Sequence, residues 1–83
     1  AYPNPFNPSV SIDFSLDRSD FIKLSVYDIK GRVVSTLLQD FLNIGNYTVD
    51  WVPSNEVSSG PYFIRLESIN GNLSVSKKIM FIK

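Results

Sequence analysis

The chain has 83 residues, 8 Lys+Arg against 8 Asp+Glu, and neither Cys nor His. One small domain fits that length, and disulfides, Cys- or His-ligated metals, Ser-His-Asp catalysis and Cys-His catalysis are all excluded. A sequence pI near 6.3 argues against a globally basic nucleic-acid binder. No apolar run approaches the roughly 20 residues that a membrane-spanning helix needs. With 43% hydrophobic and 19% charged residues, the composition is that of a packed domain.

Residues 1–8 lack the charged and apolar regions of a signal peptide. Pro3, Pro5 and Pro8 forbid a helix and favour an extended lead-in, a linker that Tyr2 and Phe6 are placed to pin to the domain surface. The domain proper is then 9–83. From 9 to 16, Val10, Ile12, Phe14 and Leu16 alternate with Ser and Asp, the pattern of a half-buried strand. A polar turn follows at 17–20, then a second strand at 21–28 with Ile22, Leu24 and Val26 inward. Gly31 is expected at positive φ in the connection, where a Cβ would clash. Residues 33–38 read as a third strand of ambiguous phase, and 39–44 as a loop that Gly45 punctuates.

Alternation returns at 46–51, with Tyr47, Val49 and Trp51 on one face, and again at 61–67, with Tyr62, Ile64 and Leu66 on one face. Asn70-Gly71 reads as a tight type I′ hairpin turn. In 72–82, strict alternation would place Lys77 in phase with Leu73, Val75, Ile79 and Phe81. A bulge or sheet switch at Lys77-Lys78 is therefore expected, splitting the stretch in two. No helical period appears. About seven short strands, with turns every 8–12 residues or so, predict an all-β, antiparallel β-sandwich.

Chemistry is sparse. Asp13, Asp28 and Asp50 are the carboxylates nearest strands, and an acid–base pair across a sugar cleft needs more room than so small a sandwich offers. No catalytic residue is assigned, and the chain is expected not to be an enzyme. Asp17 and Asp20 match no calcium-loop pattern and read as turn caps, so neither metal nor cofactor is expected. Trp51, Tyr27, Phe63 and Phe81 are candidate sugar-stacking rings; Trp51 alternates with core residues, which leaves Tyr27 and Phe63 with polar neighbours on their own face. Asn46-Tyr47-Thr48 and Asn72-Leu73-Ser74 fit the short glycosylation pattern, unsupported by anything else in the chain.

Charge is unevenly spread. Residues 1–67 carry 5 basic and 8 acidic groups, whereas 68–83 carry Lys77, Lys78 and Lys83 and no acid. Such an ending serves equally as an edge strand guarded by lysines and as a handle for another protein.

Five blocks in order resemble the type A C-terminal sorting domain of the bacterial type IX secretion system. They are YPNPFNPSVSIDFSL (2–16), VYDIKGRVVSTL (26–37), IGNYTVDW (44–51), SSGPYFIRLES (58–68) and KKIMFIK (77–83), with Ile44 where alanine is usual. The resemblance implies an immunoglobulin-like sandwich that directs an upstream cargo protein from the periplasm across the outer membrane of a Gram-negative bacterium, to the cell surface or medium. It implies type IX translocon and shuttle proteins as partners, and a sortase-like cysteine endopeptidase that removes the domain. It makes Lys77, Lys78, Ile79, Met80, Phe81, Ile82 and Lys83 the segment recognised by the translocon. Pro3, Asn4, Pro5, Asp28, Gly31, Arg32, Gly60, Tyr62 and Arg65 become motif positions with a structural part. Read from the residues alone, Asp28 and Arg32 suit an ion pair or cap across a turn, and Tyr62 suits the core with its hydroxyl partnered. The rival readings are a carbohydrate-binding module and a structural immunoglobulin-like spacer, similar to that of the flagellar hook-capping protein. No nucleic acid and no membrane span are expected.

Overall fold

A computed structural model describes residues 9–71 and 73–82. The expected lead-in at 1–8, with Pro3, Asn4 and Pro5, lies outside the described residues, as do Asn72 and Lys83. Six strands follow in order: β1 (Val10–Leu16), β2 (Asp20–Tyr27), β3 (Val33–Leu42), β4 (Gly45–Trp51), β5 (Gly60–Ser68) and β6 (Ser74–Phe81). They form a two-stranded sheet, β1-β4, and a four-stranded sheet, β3-β2-β5-β6, antiparallel throughout. The architecture is a β-sandwich consistent with an immunoglobulin-like fold, with six strands where about seven were expected.

The inward-facing alternates make the core. Leu16 and Trp51 from the small sheet meet Ile22, Leu24, Val26, Tyr62, Ile64, Leu66 and Phe81 from the large one. Burying each such side chain contributes about 1.5–3 kcal/mol. The other face of the small sheet is a polar ladder. Ser11 Oγ donates to Asp50 at 2.7 Å, Thr48 Oγ1 to Asp13 at 2.7 Å, and Ser15 Oγ to Asn46 at 2.8 Å. A sheet of two strands is marginal by itself, and these cross-strand pairs add to what its buried face supplies.

Three sequence expectations are corrected. β3 runs to Leu42, so most of the loop expected at 39–44 is strand: Asp40, Phe41 and Leu42 pair with Ile22, Phe21 and Asp20. Phe41 also packs edge-on against Phe21, with centroids 5.3 Å apart. The ambiguous phase of β3 has a cause, since its register slips twice, between Leu24 and Ser25 and between Val26 and Tyr27. Each slip lets apolar residues from both phases face the core.

β6 is one strand, with no bulge at Lys77-Lys78: Lys77 lies opposite Ile64 and Lys78 opposite Phe63 in unbroken register. Lys77 keeps the inward phase because that stretch of the inward face opens to water. Finally, the β5–β6 turn is closed by Gly71 N–H donating to Ser68 C=O at 3.1 Å, with Gly71 at φ 81°. The glycine is thus the fourth residue of the turn and not a central residue of a two-residue one.

Candidate functional site

The four-stranded sheet carries β6 on one outer edge, with β5 its only strand partner among the described residues. One side chain anchors the end of β6. Phe81 is buried, its ring 5.4 Å from Trp51 and 6.3 Å from Tyr62 by centroids, and Trp51 and Tyr62 meet edge-on at 5.4 Å. Tyr62 Oη donates to the Ser58 carbonyl at 2.7 Å, which satisfies its hydroxyl within this aromatic cluster. Gly60 lies opposite Phe81 at φ 154°, a backbone conformation that side chains with a Cβ rarely adopt. Met80 and Ile82, on either side of Phe81, point to water at 61% and 72% exposure.

Lys77 and Lys78 project from opposite faces of the same free edge. Lys78 follows Phe63 on the outer face. Lys77 lies at the mouth of a trough of about 280 Å³ between β1 and β6, walled by Val10, Ile12, Phe14, Val75 and Ile79, with Leu24, Ile64 and Leu66 beneath. Both lysines are exposed.

The β2–β3 connection, residues 28–32, is knitted around one carboxylate. Asp28 accepts the backbone N–H of Lys30 and of Arg32 at 2.9 Å each, and Arg32 Nε at 2.8 Å. Its own N–H donates to the Arg32 carbonyl, and Gly31 turns the chain at φ 84°. The Arg32 backbone donor, the Arg32 side chain and the Lys30 donor together hold the Asp28 carboxyl below its ordinary value. Arg65 stacks over the Tyr27 ring, 4.7 Å from its centroid.

Thus the described motif positions separate into two kinds. Asp28, Arg32, Gly60 and Tyr62 border one cleft at the end of the sandwich where β6 finishes, Gly31 turns the chain beside it, and Arg65 lies farther along β5 on the outer face. The terminal residues supply what that end presents to solvent. Of the segment 77–82, Phe81 is core and Ile79 half-buried, leaving Lys77, Lys78, Met80 and Ile82 outward. Phe81 and Trp51 are therefore unsuited to stacking a sugar. Asp13 and Asp50 serve the polar ladder, and Asp20 accepts the Phe21 N–H. Among the described residues no group of three or more acidic side chains is placed to hold a metal, and no helix is long and apolar enough to cross a membrane.

Sequence reasoning missed the trough. Its signal is the phase of Lys77, which falls among apolar residues without any bulge or sheet switch.

The described residues thus form a small all-β sandwich whose motif residues gather near the end of β6. The comparison with family profiles is specific: the secretion system C-terminal sorting domain profile matches residues 1–83. The chain belongs to that family, and it is a sorting signal for type IX secretion, joined to an upstream cargo that it sends to the cell surface or the medium. Searches of curated proteins and of solved structures gave no match.

Proposed function

We propose that the type IX machinery reads this domain at its terminal strand, through Lys77, Lys78, Met80 and Ile82, and that the motif residues behind it hold the strand in one geometry. The carrying observation is the burial of Phe81 against Trp51 and Tyr62. An anchored strand presents its flanking side chains without a large ordering cost on binding. Translocon and shuttle proteins are the partners, met during transit through the periplasm. The domain acts as a signal and not as a catalyst, and a sortase-like cysteine endopeptidase removes it.

The test is export of a reporter fused to residues 1–83 behind a periplasmic export signal, in a type IX-competent bacterium. Met80→Asp/Ile82→Asp is the informative variant, because both side chains are exposed and the fold should survive; circular dichroism checks that it does. Reporter outside the cell for the wild type and trapped inside for the variant supports the reading. Equal export of the two overturns it.

A further inference from the structure

The free edge of β6 is built to accept one more strand. Among the described residues its outer side has no strand partner, and its register against β5 is unbroken from Ser74 to Phe81. The trough beside it is mainly apolar, lined by half-buried Val10, Ile12 and Phe14 on one side and by Val75 and Ile79 on the other; Ser11 and Asp13 also border it, the Asp13 carboxylate being taken up by Thr48. A strand laid about 4.8 Å outside β6 would point alternate side chains into that trough. Regular edges with apolar flanks recruit strands unless something prevents it.

The charges say which strand. Lys77 faces the trough and Lys78 the outer face, and neither makes an ion pair among the described residues. On the outer face Arg65 stands one strand further in, opposite the small Ser76. An antiparallel second copy of β6 centred near these positions would set lysine against lysine, which disfavours self-pairing. We propose that β6 is completed by an extended acidic segment of a partner protein, added as a fifth strand of the large sheet. Two consecutive carboxylates in that segment meet Lys77 on the trough side and Lys78 on the outer side, while apolar alternates fill the trough beside Val75 and Ile79. Backbone pairing supplies the affinity and the flanking acids supply the register, as in other strand-addition complexes. The inference rests on the reading of β6 as the recognised strand, and it adds the mode of contact and the charge of the partner.

The test uses the purified 83-residue chain and the synthetic peptide Thr-Val-Thr-Val-Glu-Asp-Thr-Val-Thr-Val. Binding is followed by amide chemical shifts and hydrogen exchange. New protection confined to β6 is expected, with affinity lower by about tenfold for the Gln-Asn isostere of the peptide, and by a similar factor for Lys77→Gln/Lys78→Gln. Both lysines are exposed, so that variant should fold; its unperturbed core shifts confirm it. No binding, binding to another edge, equal affinity for the neutral peptide, or a domain that dimerises through β6 overturns the proposal. The export assay with Met80→Asp/Ile82→Asp judges β6 as the recognised strand separately. Loss of export without peptide binding would leave that reading standing and remove strand addition.

Discussion

The two edges of the large sheet are protected in different ways. β3 is the longer, with 10 residues against 8, and its register with β2 slips twice. Slips twist an edge away from the flat geometry that a new strand needs. β3 is also held along its length by half-buried Val34, Leu37, Leu38 and Leu42. β6 keeps even register, is pinned chiefly by Phe81 at its far end, and carries charge where β3 carries irregularity. A bulge blocks every partner alike. A charge blocks some and admits others, so an edge meant to be read is better guarded by lysines than by a distorted backbone.

That contrast can be broken most severely at the anchor. Phe81→Ala is expected to cost about 3–5 kcal/mol, comparable with the net stability of so small a core, so denaturant titration should find little folded protein. Leu38→Ala in β3, where the side chain is only half-buried, should cost about 1–2 kcal/mol less than that and leave a cooperative transition. Equal losses would mean that β6 is held along its length, as β3 is.

Next in size is the guard itself. Lys77→Val/Lys78→Val should turn a monomer into a dimer or larger species at high concentration, seen by sedimentation velocity. Gln39→Val on β3 should leave it a monomer, because the slipped register persists. A monomeric lysine variant would show that β6 is blunted by something besides charge.

Asp28→Asn addresses the turn that leads into β3. The folded carboxyl lies below its ordinary value of 3.8, chiefly because of the Arg32 backbone donor. Its contribution to stability is therefore complete above that value and lost as pH falls through the lowered folded value. The variant should be less stable near neutrality and should lose less between neutral and acidic pH than the wild type, by denaturant titration at a series of pH values.

The smallest effect is expected at Ser25, beside the first slip of β3, where a fully buried hydroxyl has no hydrogen-bond partner among the described residues. Ser25→Ala should be neutral or stabilising by up to about 1 kcal/mol. A clear loss of stability would mean that the hydroxyl has a partner, such as an ordered water.

Strands with a clean period of two, β1, β4 and β5, were legible from Val10 to Leu16, Tyr47 to Trp51 and Tyr62 to Leu66. So were Trp51 and Tyr62 as core, the Asp28–Arg32 pair and the positive φ of Gly31. What alternation cannot convey is how far the opposite sheet extends. Asp40 and Lys77 each sit at an inward register position, opposite Ile22 and Ile64, where alternation alone leads one to expect an apolar residue. Both lie where the inward face is open, so their charges stay in water and the strand continues past them. The meeting of three motif blocks around Gly60 was likewise hidden, because it depends on the pairing of β5 with β6 and on the fold of the β2–β3 connection.

Trp51 lies beside both the first residue of β1, its register partner Val10, and the last residue of β6, Phe81. Strand β1 thus starts at the same pole of the sandwich where β6 finishes. A pull on the chain at both ends would load the two edge strands from that one pole. Each would peel from its neighbour pair by pair, like a zipper opened from its end, and the ladders would not be sheared all at once. A domain of this layout therefore yields to a lower pulling force than one whose ladders must break all at once.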